Sequence, residues 1–127
     1  MTPTRALVVD DSAINIDLAV FVLRAQGFVV ESACSADEAI VRTRAFCPDV
    51  ILMDIQMPDV DGLEAVRRLR LDPAARDVVI IAFTAYAMKG DEQKMHAAGC
   101  DGYIAKPIDI ATFGRTVRAH LDARRVG

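Results

Sequence analysis

The sequence of 127 residues has no tryptophan and few of the residues that cross-link or anchor a small protein. Its three cysteines, Cys34, Cys47 and Cys100, lie far apart and form no CxxC pair, which argues against a disulfide framework and a zinc knot. The longest apolar runs, of which Val78 to Phe83 is one, are far too short to span a bilayer as a helix. No apolar signal-peptide core fits before Asp10. We therefore predict a cytoplasmic protein without membrane insertion.

Neither sign of charge is in large excess. The 15 Lys and Arg residues face 18 Asp and Glu residues, and the net charge of −3 argues against nucleic acid as a partner, because phosphate backbones attract clustered basic residues. With 53% hydrophobic and 26% charged residues, the composition is typical of a globular domain. The length fits one domain, which we expect to span 1–127 with a core of about 5–123.

Short apolar runs alternate with helical patterns five times along the chain. The predicted strands cover 6–9, 28–33, 50–53, 78–83 and 103–105. The predicted helices cover about 14–25, 35–46, 62–71, 89–98 and the chain from about 108 onwards. Short uninterrupted apolar runs are typical of strands buried on both faces of a parallel sheet. The pattern predicts a single α/β domain of the doubly wound (βα)5 type with a five-stranded parallel sheet.

Polar side chains follow four of the five predicted strands. Asp10 and Asp11 come after the first, Asp54 after the third, Thr84 after the fourth and Lys106 after the fifth. Ligands of such sheets bind outside the carboxyl ends of the strands. If these four strands are neighbours, three carboxylates, a hydroxyl and an ammonium meet in one shallow pocket.

This combination of side chains predicts a metal-assisted phosphoryl site. Three carboxylates within about 5 Å repel by roughly 3 kcal/mol per pair at an effective dielectric near 20, which a divalent cation such as Mg²⁺ offsets. The set is compatible with phosphoryl transfer onto an Asp carboxylate, in which positioning and charge neutralisation do most of the catalysis. Asp54 lies on the inner strand and is the best nucleophile, whereas Asp10 and Asp11 are better placed to hold the metal.

These residues resemble the receiver domain of two-component response regulators, the CheY-like fold. The resemblance covers essentially the whole chain. It rests on four segments, which are Asp10-Asp11, Met53 to Gly62, Thr84-Ala85 and Lys106-Pro107. It implies a flavodoxin/CheY-like sheet with the strand order 2-1-3-4-5.

The resemblance also implies a partner and a metal site. Asp54 would accept a phosphoryl group from a phosphohistidine on a histidine kinase or a histidine phosphotransfer protein. Mg²⁺, with Mn²⁺ as an alternative ion, would be held by Asp11, Asp54 and the backbone carbonyl of Gln56. Asp10 would assist directly or through water.

Further residues would stabilise the phosphoryl group and carry the switch. Thr84 and Lys106 would bind its oxygens, and a cis Lys106–Pro107 bond would aim the lysine into the pocket. Movement of Thr84 would draw Tyr103 inward, shifting the population towards an active arrangement. Gln56 and Tyr86 would control access of the attacking water, and the bulk of Tyr86 predicts slow dephosphorylation.

Two stretches of the sequence indicate which kinds of receiver domain it resembles most. Asp10 to Asn15 and Ala85 to Asp91 look most similar to single-domain phosphorelay receivers of the DivK type and to the receivers of hybrid kinases. Since no further domain follows, we expect output through a downstream protein that contacts the fourth helix, fifth strand and fifth helix. The expected protein is a monomer or weak dimer and not an enzyme, because it promotes only its own aspartyl phosphorylation and slow dephosphorylation. A receiver excised from a hybrid histidine kinase is the alternative.

Other classes of protein share parts of this pattern. A haloacid-dehalogenase-type phosphatase has a second Asp where Gln56 stands, and it needs a cap domain for which there is no room. A flavodoxin offers hydroxyls and backbone donors in its first loop, where Asp10 and Asp11 would repel a phosphate. An interaction module that no longer uses phosphate is disfavoured by the intact set of five side chains. Turnover of a phosphate ester, or a bound flavin, would favour these alternatives.

The remaining polar residues are predicted to be structural or solvated. The basic residues of the last helix are expected to form a solvated face, and they are Arg115, Arg118, Arg124 and Arg125. His96 and His120 each stand alone on a helix without a paired ligand, which favours surface histidines.

Overall fold

The computed structural model describes residues 3–55, 62–84, 91–106 and 108–126, in which strands and helices alternate. The strands are β1 (Arg5–Val9), β2 (Val29–Ala33), β3 (Val50–Asp54), β4 (Val79–Thr84) and β5 (Gly102–Ala105). The α-helices are α1 (Ala13–Ala25), α2 (Ala36–Phe46), α3 (Gly62–Leu71), α4 (Asp91–Ala98) and α5 (Phe113–Val126). A short 3-10 helix, Pro73–Ala75, lies between α3 and β4.

The five strands form one parallel sheet in the order β2-β1-β3-β4-β5, which confirms the predicted fold. Its two faces are covered by different helices. On one face α2, α3 and α4 pack against alternate strand residues such as Leu7, Ile51 and Ile80. On the other, α1 and α5 pack against residues such as Leu52 and Ile81. The interior strands β1, β3 and β4 are therefore apolar along nearly their whole length, as strands with two buried faces must be.

The predicted strands agree with the observed ones to within one residue at either end, but the predicted start of the last helix at about residue 108 is wrong. α5 begins at Phe113. The Asp109 side chain accepts a hydrogen bond from the Ala111 N–H at 3.0 Å, and the Asp109 carbonyl accepts one from the Phe113 N–H at 2.9 Å. The side-chain bond to the N–H two residues on forms an Asx turn at Asp109, which stands in place of the first turn of the predicted helix. The predicted start of the fourth helix at residue 89 lies outside the described residues.

α2 begins with a modified capping box, in which Ser35 is the N-cap. Ser35 Oγ accepts from the Glu38 N–H at 3.1 Å, whereas the Glu38 carboxylate accepts from the N–H of Cys34 at 3.2 Å rather than from that of Ser35. The Cys34 thiol also lies 3.0 Å from this carboxylate, a hydrogen bond that raises the pKa of Cys34 and lowers that of Glu38. All three cysteines are free, and burial raises the pKa of Cys100 to about 11.

Arg70 binds backbone carbonyls of several other segments. Arg70 of α3 donates to the carbonyls of Ala75, Val78 and Gly99 and pairs with Asp101 at 2.8 Å. These bonds attach α3 to the segments on both sides of β4. Because the Arg70 side chain is largely buried, losing it would leave several acceptors without a donor.

Arg118 corrects the expectation of a fully solvated basic face on α5. Its guanidinium donates to the Gln26 carbonyl at 2.8 Å and lies 4.4 Å from the centroid of the Phe28 ring, so it holds the end of α1. Arg115 is exposed, as predicted. His96 is exposed, while the half-buried His120 ring covers Gly102, where any Cβ would clash with it. In the described part of the chain no helix is both long and apolar enough to cross a bilayer.

Candidate functional site

The predicted acids, Thr84 and Lys106 lie at one edge of the sheet. Asp10 directly follows β1, Asp54 ends β3, Thr84 ends β4 and Lys106 directly follows β5. Because β3 lies between β1 and β4 in the sheet, the Asp54 side chain occupies the centre of this edge. Asp10, Asp54 and Thr84 are buried, whereas Asp11 is exposed. The site thus has a buried floor and one acid on the solvent side.

The start of α3 lies close to the end of β3 and contributes to this arrangement. α3 begins at Gly62, directly against the end of β3. A Cβ at Gly62 would lie 2.6 Å from the Asp54 carbonyl oxygen and would clash with the Ile55 backbone. Only glycine permits this contact, so Gly62 fixes the course of the backbone beside Asp54.

Three carboxylates converge at this edge. One oxygen from each of Asp10, Asp11 and Asp54 lies within 4.8 Å of the others. At an effective dielectric near 20, each such pair repels by roughly 3 kcal/mol, less where the exposed Asp11 is screened by water. The arrangement therefore favours binding of positive charge.

Among the described residues, the ammonium of Lys106 offsets part of this repulsion. Lys106 Nζ lies 3.2 Å from Asp54 Oδ2 and 3.4 Å from Asp10 Oδ2. Its backbone N–H donates to the Thr84 carbonyl at 2.7 Å, which fixes the start of the side chain beside β4. Within the part of the site that the structure describes, one positive charge against three carboxylates leaves an excess of two negative charges.

Asp10 shows where a cation would fit. Its Oδ1 accepts a hydrogen bond from the Ser12 N–H at 2.9 Å, while its buried Oδ2 accepts no hydrogen bond from any described residue and has only the ionic contact with Lys106 Nζ at 3.4 Å. A buried carboxylate oxygen without a donor is costly unless positive charge lies nearby. The donor set is all oxygen and open to solvent at Asp11, which suits a hard divalent cation that retains water.

Some predicted site residues remain predictions. Gln56, Tyr86 and Pro107 lie outside the described residues, and with them the Gln56 carbonyl ligand, the flanking role of Tyr86 and the cis Lys106–Pro107 bond. Tyr103 lies on β5 and is 36% exposed, so its ring is not enclosed in the core. Its role as a switch is not tested by this arrangement.

Two further features adjoin the site. Phe83, which the sequence predicts only as the apolar end of the fourth strand, lies with its ring centroid 5.1 Å from Lys106 Nζ. α1 begins right after the acidic loop, with Ser12 as its N-cap, and exposes Ile14 and Phe21 at 79% and 69%. These two side chains are seven residues apart and share one helix face, a spacing that could have been noticed in the sequence.

Comparison with known families agrees with this geometry. A profile described as "Response regulator receiver domain" matches residues 6–118. The chain belongs to the response regulator receiver domain family. It is thus a signalling protein of two-component systems, and membership in this family replaces the phosphatase and flavodoxin interpretations.

Receiver proteins of known name are similar over nearly the whole chain. The polar-differentiation response regulator DivK of Brucella anthropi is 39% identical over 119 residues, which are 94% of this chain and 97% of that protein. DivK of Brucella melitensis is 40% identical over 115 residues, covering 91% of this chain and 94% of that protein. The resemblance to DivK-type receivers is therefore confirmed.

Solved structures of receiver proteins are similar to this chain as well. The chemotaxis protein CheY4 of Vibrio cholerae superposes with a TM-score of 0.89 at 27% identity, over 93% of this receiver domain and 98% of that chain. The receiver domain of a sensor histidine kinase from Pseudomonas aeruginosa, whose structure has a magnesium ion coordinated in the active site cleft, gives a TM-score of 0.84 at 31% identity. That match covers 95% of this chain and 99% of the other.

Proposed function

We propose that this receiver domain accepts a phosphoryl group on Asp54 from a phosphohistidine of a histidine kinase or histidine phosphotransfer protein, and then controls a downstream protein by contact. The observation that carries the proposal is the convergence of Asp10, Asp11 and Asp54, with the ammonium of Lys106 beside Asp10 and Asp54. Its place of action in this proposal is the cytoplasm, where its free thiols stay reduced.

The transfer is a single displacement at phosphorus. A carboxylate oxygen of Asp54 attacks, the N–P bond of the phosphohistidine breaks, and the imidazole leaves as the neutral ring after protonation. Lys106 and Thr84 bind the oxygens of the transferred group, and Lys106 is already within 3.2 Å of the nucleophile. The protein's contribution is position and charge, which dominate catalysis of phosphoryl transfer.

Asp10, Asp11 and Asp54, with the backbone carbonyl of Gln56, would hold Mg²⁺ or Mn²⁺. The spacing of the three carboxylates supports this set, as do the buried Asp10 Oδ2, which accepts no hydrogen bond from a described residue, and the magnesium in the similar Pseudomonas aeruginosa receiver domain. When bound, the ion neutralises charge on the carboxylates and the phosphoryl group. One oxygen of each acid lies within 4.8 Å of the others, so a single ion could contact all three.

Phosphorylation would act on a distant surface through the end of β4. The new phosphoryl group brings roughly two negative charges, and Thr84 would move toward it, drawing Tyr103 inward and changing the surface of α4, β5 and α5. Gln56 and Tyr86 would limit access of water and make dephosphorylation slow. A cis Lys106–Pro107 bond would direct Lys106 into the site. We propose a monomer or weak dimer as the working form.

The test of this function is labelling by a small phosphodonor such as acetyl phosphate. With Mg²⁺ present, we expect intact-mass spectrometry to show addition of one phosphoryl group, and with a chelator instead of Mg²⁺ we expect the unmodified mass. Equal labelling in both conditions would contradict metal-assisted chemistry. No labelling in either, in a protein whose circular dichroism is native, would contradict the proposed function.

The exposed apolar face of α1, formed by Ile14 and Phe21, is where we expect the protein phosphodonor to dock. Phe21→Ser should slow phosphotransfer from the protein donor by about 10-fold to 100-fold, because burying a large apolar side chain contributes roughly 1.5–3 kcal/mol to an interface. Labelling by acetyl phosphate should be unchanged, since Phe21 is already exposed in the free domain. Leu71→Ser, at an 85% exposed position at the far end of α3, is the matched control. Equal effects of the two substitutions would refute docking on α1.

A receiver domain within a hybrid histidine kinase is the second candidate. The 31% identity to the Pseudomonas aeruginosa kinase receiver favours it, and the chemistry at Asp54 would be the same. An immunoblot of the native cells separates the two, because the single-domain regulator would migrate near 13.8 kDa and the hybrid kinase at several times that mass.

A further inference from the structure

The ammonium of Lys106 lies between acids and an aromatic ring. On one side Asp54 Oδ2 and Asp10 Oδ2 are 3.2 and 3.4 Å away, and on the other the centroid of the Phe83 ring is 5.1 Å from Nζ. A cation within about 6 Å of a ring centroid is attracted by the negative charge density of the ring face. The attraction is stronger when the cation is shielded from water, and the Lys106 side chain is only 18% exposed.

The Phe83 ring is itself held in place. Phe83 is the penultimate residue of β4, paired in register with Asp54 on β3 and with Ile104 on β5. Its ring is buried and packs against the ring of Phe113, the first residue of α5, with centroids 5.9 Å apart and planes tilted by 42°. A ring fixed by two strands and a helix offers the ammonium a rigid surface.

The contact between Lys106 and Phe83 matters because the charges around the ammonium change during the proposed reaction. Lys106 has a long side chain with four rotatable bonds, and its pairing with Asp54 must change when that carboxylate becomes an acyl phosphate. The face of Phe83 attracts the ammonium to the same degree before and after transfer, because the ring carries no group that reacts. It can therefore keep Nζ in one place while the charges around it change.

We propose that Phe83 is a positioning residue for Lys106, whose ammonium it holds in the place needed to bind the incoming phosphoryl group. The inference rests on the proposed phosphorylation of Asp54 and adds to it a residue that contacts neither metal nor phosphate. Any apolar side chain could fill this part of the core, but only an aromatic one presents a face to the cation. The proposal therefore separates the packing of Phe83 from its electrostatic role.

The test is a double-mutant cycle on the rate of labelling by acetyl phosphate with Mg²⁺. Phe83→Leu keeps an apolar side chain in the core and should slow labelling about fivefold. In a Lys106→Met background the same substitution should cause no further loss, because its effect acts through the ammonium. Phe46→Leu is the matched control, since Phe46 is also buried and lies under a cation, Arg5, outside the site. It should leave the rate unchanged.

Each outcome separates this proposal from the proposed function. If the natural protein takes no label, the phosphorylation of Asp54 fails. If it takes label and the losses from Phe83→Leu and Lys106→Met multiply independently, the positioning role is overturned. Should Phe83→Leu not fold, proton NMR of the natural protein decides, because the ring current of Phe83 should shift the ε-methylene protons of Lys106 upfield. Resonances at the random-coil position would overturn the proposal.

Discussion

Asp54→Asn is expected to remove phosphorylation of this receiver domain, lowering the rate by more than about 10³-fold and so below detection in the same acetyl phosphate assay. Asparagine has the same shape, but its amide oxygen is a far weaker nucleophile than a carboxylate oxygen. The substitution also removes the negative charge that faces Lys106 Nζ at 3.2 Å. Intact-mass spectrometry after incubation with Mg²⁺ and acetyl phosphate measures the result.

The control for this variant is Asp17→Asn, which removes an exposed carboxylate of α1 outside the cluster of three acids. It should be labelled like the natural protein. Circular dichroism should show that both variants keep the fold. Labelling of Asp54→Asn at the natural rate would mean that another residue carries the phosphoryl group, and it would contradict the proposed mechanism.

The second large effect concerns Asp11 and the metal. In the natural protein, Mg²⁺ at about 100 times its dissociation constant should raise the free energy of unfolding by ~2.7 kcal/mol. Asp11→Asn removes one ligand, and a tenfold weaker affinity would reduce this gain at the same Mg²⁺ concentration to ~1.4 kcal/mol or less. Phosphorylation should fall with it, because the remaining ion is bound less often and neutralises less charge.

Without metal the same substitution should have the opposite effect. The three acids repel one another, and Asp11 is exposed, so its neutralisation removes repulsion without disturbing packing. We expect the free energy of unfolding of the metal-free variant to rise by about 1 kcal/mol. Urea unfolding with and without Mg²⁺ measures both effects. Asp122→Asn, at an exposed position of α5, should change neither. A Mg²⁺ response of Asp11→Asn equal to that of the natural protein would argue against Asp11 as a ligand.

Much of the fold can be predicted from the order of apolar and polar residues along the sequence. The runs around Val8, Leu52 and Ile81 are short, apolar and uninterrupted because both faces of each interior strand are buried, so strand positions could be predicted to within one residue. The site could be located for a related reason. The carboxyl ends of parallel strands meet at one edge, so acids following β1 and β3 must lie near a lysine following β5.

Contacts between side chains of different elements could not be predicted in this way. The ring of Phe83 faces Lys106 because of the register of β4 and β5 and the packing of Phe113, neither of which is visible as a spacing in the sequence. Arg118 was expected in solvent, but it binds the end of α1 because the two helices are neighbours on one face of the sheet. The late start of α5 coincides with the Asx turn at Asp109, which stands in place of the first turn of the predicted helix.

In the proposed function, the carboxylate of Asp54 is the group that becomes phosphorylated. Reduction of the phosphorylated protein with borohydride, which converts an aspartyl phosphate to homoserine, followed by peptide mapping, tests it most directly. We expect homoserine at position 54 and at no other position. Homoserine at position 10 or 11, or an acid-labile phosphoryl group on His96 or His120, would contradict the claim.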